Sequence, residues 1–383
     1  MTQRLMTWTR ARRALAAAAA AITLGTTLAA APAEAATVPA GVSAAMADDL
    51  RTECGRHQAE AGRVQGWARS RFEQCYHSTE KVNLYDTNGN YYGYFDFELW
   101  ILAFAYDGSR RVDYVTSVEN VHQSTSLSDD LTFLTIRFDC RSSEVTCSAN
   151  LSRTDTIRGW YTKSTMDTIT ITSPDDVGTG PYKIVDFMET VGFTGEYRNG
   201  NTRPFYKDTQ AINRVRFDSA NAALGNGKFK GAVFTDNAPR LELHLSGAGY
   251  DEEARHVDDT LHHPERTFPA MIGKNAPGET TDDPLHRLMD KDRADANHSA
   301  SVSICTDIWG PSYTAGDMEC DEYPFKSTYE GSSVSTDGHP GSWHGSARPI
   351  PASDNGKGGT ELGKFYGANR VLDHDPFTVT VVP

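Results

Sequence analysis

The stretch Cys320-Asp321-Glu322-Tyr323-Pro324-Phe325-Lys326-Ser327-Thr328 sets the reading of this chain. Two adjacent carboxylates follow a cysteine and stand just ahead of a proline. On a strand, neighbouring side chains point to opposite faces, so only one of Asp321 and Glu322 is expected to face a given pocket. Pro324 has no amide hydrogen and ends any regular ladder. The carboxylates therefore sit where a strand stops, a common place for exposed chemistry. A second stretch, residues 353–366, is its partner. Ser353, Asp354 and Asn355 are helix-capping residue types, and Leu362, Phe365 and Tyr366 recur at helical spacing, which predicts a helix starting at this point.

These two stretches lead into Arg370-Val371-Leu372-Asp373-His374-Asp375-Pro376-Phe377 and a closing apolar run. The order Cys-Asp-Glu-Tyr-Pro-Phe-x-Ser-Thr, then Asp-Asn, Gly-Gly and Leu-Gly-x-Phe-Tyr, resembles the NucA/NucB family of secreted bacterial deoxyribonucleases. The resemblance spans roughly residues 270–383. It implies a small α+β nuclease domain of ββα-metal type with DNA as substrate, RNA being the other candidate. Cutting a phosphodiester needs a base for water, a cation on the phosphate, and help for the leaving oxygen. The expected base is Asp321, with Glu322 as competitor or outer partner. Asn355 and Glu361 are expected to hold a divalent metal, and Asp354 is either a cap or a further ligand. Oxygen ligands suit Mg²⁺ or Mn²⁺ better than zinc. Arg348 is the candidate for gripping the phosphate, because its forked donors match two phosphate oxygens. Asp373 and Asp375 are expected to form a turn before the last strand. Many relatives use a histidine as base where this chain carries Asp321-Glu322. If the base here is a histidine, His344 is the first to consider, in a Gly/Ser/His-rich insertion (330–347) that also holds His339.

Residues 1–35 read as a secretory signal peptide. Arg4, Arg10, Arg12 and Arg13 form a basic front, an apolar run follows, and Ala33-Glu34-Ala35 is a small-x-small cleavage site. No other stretch approaches the ~18 apolar residues needed to span a bilayer, so the mature protein is expected to be soluble, secreted and monomeric. Six cysteines are an even number suited to an oxidising compartment. Proximity favours Cys54 with Cys75, Cys140 with Cys147, and Cys305 with Cys320. A formal net charge of -14 argues against a protein that coats nucleic acid, since such binding draws on Lys and Arg. It does not exclude an enzyme that touches a few phosphates, and Arg348, Lys357, Lys364 and Arg370 are candidates for a local positive field.

The fold class expected is α+β. Residues 36–80 read as a helical lead-in, with Gln58 to Phe72 helical. Residues 81–246 read as a β-rich domain of sandwich or barrel type, with a hairpin at Asn88-Gly89 and strands near 91–105, 111–120, 130–139, 145–151, 154–163, 167–173, 213–217, 227–235 and 241–245. The polar stretch 246–283 is broken by Gly and Pro, which makes 247–269 a linker. Its His256, His262 and His263 are sparse there and are read as a polar surface rather than metal ligands. A helix over 284–293 and a short strand at 301–305 then lead to Cys320. Two other functions fit the sequence: a non-catalytic extracellular binding protein with a decayed nuclease domain, and a secreted antibacterial nuclease toxin.

Overall fold

Strand-forming residues dominate the first half of the chain. In the computed structural model, which describes residues 41–220, 224, 229–334 and 343–383, they build two sheets that share one core. The expected signal peptide lies outside the described residues. The strands are β1 (Trp67–Ser70), β2 (Glu73–Asp86), β3 (Tyr91–Ala105), β4 (Arg111–Gln123), β5 (Thr132–Asp139), β6 (Thr146–Cys147), β7 (Ser152–Thr156), β8 (Ile169–Thr172), β9 (Val185–Tyr197), β10 (Thr202–Arg203), β11 (Phe205–Asp218) and β12 (Gly231–Phe234). One sheet runs β1-β2-β3-β4-β8-β6 with β10 on β2, and the other runs β12-β11-β9-β5-β7. Their inward residues, among them Phe95, Phe97, Leu134, Ile136, Phe193 and Val215, alternate along the strands and pack into one apolar layer. Cys140–Cys147 closes a short loop in this layer, and Cys54–Cys75 ties the leading helix α1 (Ala44–Arg56) to β2.

Three expectations fail here. The lead-in is helical only through α2 (Gln58–Ala61), and β1 and β2 begin before residue 80. The segment 154–163 is mostly the short helix α3 (Ile157–Thr162), capped by Thr156 and buried through Trp160. Strand β9, which no expectation included, lies between β11 and β5.

The second half is a separate layer built on a different sheet. Strand β13 (Arg240–His244) pairs in parallel with the final strand β17 (Pro376–Val382), and β14 (Leu285–His286) flanks β17 on its other side. The linker expected at 247–269 is instead occupied by helix α4 (Asp251–His262). Ala254 and Val257 on α4 are buried in the same cluster as Phe365, Tyr366 and Phe377. Helix α5 (Lys291–Trp309) runs through the positions expected as a strand at 301–305, and the stretch expected as a helix from 284 begins as β14. Strands β15 (Met318–Tyr323) and β16 (Ser346–Pro351) form an antiparallel pair, followed at once by α6 (Ala352–Ala368). Cys305–Cys320 fastens α5 to β15.

The two layers are joined by buried charge. Arg370, fully buried just past the end of α6, donates to Asp218 of β11 and, at 2.5 Å, to Asp107. Asp375 receives Arg71 at 2.9 Å and Arg216 at 2.5 Å. Burial pushes the Asp375 carboxyl up, but these two guanidiniums outweigh it and hold it below the ordinary value. Arg370 is thus a tie between layers and not a source of positive field for a groove. Asp375 is a receptor for both arginines as well as part of the turn before β17.

Candidate active site

Strand β15 presents the two carboxylates as its register requires, with Asp321 opposite Arg348 and Glu322 opposite Ala347 of β16. The strand ends at Tyr323, ahead of Pro324. Alternation sends the two side chains to different helices. Asp321 Oδ2 lies 2.6 Å from His256 Nδ1 on α4, and His256 Nε2 lies 2.7 Å from Ser346 Oγ. An ionised Asp321 can only accept, so Nδ1 carries the proton of that bond. Glu322 turns toward α5, where its carboxylate is 3.6 Å from His298 Nδ1. Burial raises the Glu322 pKa, and the carboxylate beside His298 raises that imidazole in turn. Both carboxylates nevertheless border one cleft of about 270 Å³. The expectation that only one could reach a given pocket fails, because a strand end with helices on both sides lets two neighbours converge.

Helix α6 forms the opposite wall. Asn355, Gly359, Leu362, Gly363 and Tyr366 face the cleft at helical spacing. Glu361 lies off that face and pairs with Lys364 at 2.6 Å, so the structure does not bring it to the other candidates. Asn355 does reach the cleft. Its amide nitrogen donates to Glu319 at 2.8 Å, and its oxygen has no partner among the described residues. The helix starts at Ala352 after Pro351 with no side-chain cap of its own. Asp354 instead accepts the Glu252 amide at 3.0 Å and so caps α4. Arg348 is also committed elsewhere: Nη1 donates to Asp259 at 2.7 Å and Nη2 to the Glu252 carbonyl at 3.3 Å. It braces α4 against β16 and does not line the cleft. His344 accepts the Asn275 amide at 3.1 Å and lies off the cleft wall. His339 lies outside the described residues.

Four groups at or behind the cleft were missed. Arg287 and Lys326 line it, and the Arg287 guanidinium sits 3.9 Å over the Tyr366 ring. They stand at the cleft, whereas Arg348 and Arg370 do not line it. His256 is fully buried behind Asp321. Glu253, one turn before it on α4, is 3% exposed, and its Oε2 has no hydrogen-bond partner. Burial, with the carboxylates of Asp321, Glu322 and Asp354 around it, pushes Glu253 up to about 10. Gly358 makes the space for it: a Cβ there would fall 1.4 Å from Glu253 Oε2. The available signal was the spacing of Ala254, Val257 and Leu261, an apolar stripe in a stretch that otherwise reads as polar.

Residues 270–380 match the family Deoxyribonuclease NucA/NucB. No curated protein and no solved structure matches the chain. The NucA/NucB segment carries Arg287, Asp321, Glu322, Lys326 and Asn355. Glu253 and His256 precede it. A deoxyribonuclease segment implies DNA as its substrate. Among the described residues no group of three or more His, Cys, Asp or Glu is placed to hold a metal ion, and no helix is long and apolar enough to cross a membrane. The three disulfides fit an oxidising compartment.

Proposed function

We propose that the protein is a secreted endonuclease that hydrolyses DNA phosphodiester bonds with the help of a divalent cation, using β15, β16 and α6 as a minimal ββα-metal unit. The observation that carries this reading is the convergence of Asp321, Glu322 and Asn355 on one cleft with Arg287 and Lys326, inside the segment that matches the nuclease family.

The donor chemistry of the cleft fits a hydrated Mg²⁺ or Mn²⁺. Its candidate ligands are carboxylate and amide oxygens, and such ions keep several waters instead of demanding a full protein cage. Asn355 would hold the ion from α6, with Asp354 close behind it in the first helical turn. The bound ion would supply charge stabilisation at the scissile phosphate. The remaining steps fall to the chain. Asp321 takes the proton from water through Oδ1, which has no partner among the described residues. His256, held at Nε2 by Ser346, fixes the carboxylate through Oδ2, so the base is oriented before substrate arrives. Glu322, paired with His298, is the outer acid and the competitor for the same role. Arg287 and Lys326 grip non-bridging phosphate oxygens.

Nicking of supercoiled plasmid by the full chain, with and without EDTA, tests the reading. Activity is expected to vanish in EDTA, to return with Mg²⁺ or Mn²⁺, and to fall by about 10³-fold or more in Asp321→Asn, given what general-base catalysis contributes alongside orientation. Undiminished cleavage by Asp321→Asn combined with Glu322→Gln would remove both acids from the mechanism.

A further inference from the structure

We infer that Glu253, on α4 and ahead of the NucA/NucB segment, is a direct ligand of the divalent ion, so that the ion is held between α4 and α6 and the catalytic module begins at β13. This rests on the metal-dependent reading above and assigns a residue to it.

Three observations converge on Glu253. First, the side chain is more than nine-tenths buried, borders the cleft, and leaves Oε2 without any hydrogen-bond partner. Buried carboxylate oxygens are otherwise paired. Second, its nearest charged neighbours are acids. The cation that might have served it, Arg348, is spent on Asp259, and no Lys or Arg among the described residues donates to it. A buried carboxyl with no protein cation beside it can carry its charge at modest cost only when a bound cation completes it. Third, α6 gives up a side chain to let it in. Of the glycines in that helix, Gly358 faces Glu253 at a distance no Cβ could share, whereas Gly356, Gly359 and Gly363 have nothing within 4 Å. A glycine inside a helix weakens it, so its use opposite this one carboxylate points to a required approach.

The geometry also accounts for the lack of a ready group of three acidic or imidazole ligands. Besides Asp321, the cleft-lining residues with an unpartnered oxygen among the described residues include Glu253 and Asn355, one carboxylate and one amide from opposite walls. Two protein oxygens with waters filling the other positions is a usual arrangement for Mg²⁺. Asp321 is then left to serve water. The brace of Arg348 on Asp259 and the cap of Asp354 on α4 gain a purpose, since both fix the helix that delivers Glu253.

The test is Mn²⁺ binding to the full chain, read by calorimetry and by loss of the free-ion electron paramagnetic resonance signal, with no DNA present. Glu253→Gln is expected to weaken Mn²⁺ binding by tenfold or more, and to melt at or above the wild-type temperature when metal is absent, because a buried unpaired acid has been removed. Glu253→Asp, which keeps the charge and shortens the reach, should fall between the two and serves if the glutamine variant does not fold. Glu253→Gln binding Mn²⁺ as tightly as wild type would overturn the assignment and leave the metal-dependent reading intact. A wild-type chain that binds no Mn²⁺ and cuts DNA in EDTA would instead sink the reading beneath it.

Discussion

Replacing Gly358 with alanine separates helix stability from site geometry within one residue. Taken alone, Gly→Ala in a helix interior favours folding by about 1 kcal/mol. At position 358 the new methyl would sit 1.4 Å from Glu253 Oε2 and 2.0 Å from its carboxyl carbon, so the carboxylate must retreat by roughly 2 Å to reach ordinary contact distance. Overpacking of this kind costs about 1–3 kcal/mol, which cancels or slightly exceeds the helical gain. The fold therefore survives while the acid is displaced. A misplacement of about 1 Å in a catalytic site costs on the order of 10²-fold, so kcat/KM for plasmid nicking should fall by at least that factor. Gly356→Ala is the control: it has the same helix and no neighbour within 4 Å. It should raise Tm by about 2–4 °C with nicking unchanged. If Gly358→Ala cuts plasmid within twofold of wild type, the close approach of α4 to α6 has no catalytic meaning.

Two further outcomes follow from buried charge. Arg370→Met leaves fully buried Asp218 to the more distant Arg216, 3.6 Å away, and should cost about 3–5 kcal/mol in a denaturant melt; a loss under 1 kcal/mol would mean that the Arg370 ion pairs do not tie the two layers. Glu189, fully buried in β9, has Oε2 unpartnered, and burial raises its carboxyl well above the usual range. The unfolded chain releases that proton above about pH 4.5 while the folded chain keeps it, so stability is intact below that pH and falls as pH rises past it. Glu189→Gln should flatten this slope and melt higher at pH 7, and parallel stability profiles from pH 4 to 8 would refute the account.

Local signals carried the parts of the fold that depend on neighbours in sequence. The Asn88-Gly89 turn joins β2 to β3, the stop at Pro324 ends β15, and the three short-range disulfide pairs form as proximity suggested. The residues of 320–328 and 353–366 meet across one cleft for the same reason, since a strand pair and the helix that follows it need no distant information. Distant partners were not legible. Arg348 looked like a free fork for phosphate, and its acceptor Asp259 is 89 residues away. Arg370 looked like a basic residue near the site, and its acceptor is 152 residues away. Glu361 and Asn355 were equal candidates until the packing of α6 fixed which face meets β15. Helix α4 was hidden because its turn-forming flanks and histidines outweighed a three-residue apolar stripe, yet it holds the two buried groups behind the acids.

Strand β17 has an outsized part in this arrangement. Strand β17 lies between β13 and β14, and its Phe377 packs on Phe365 and Tyr366 of α6, the helix that carries Asn355. Without β17, every acid of the cleft is present, but the helix that faces them loses the aromatic packing of Phe377. The seating of Asn355 opposite the acids is therefore tied to a strand that carries none of the cleft's own residues.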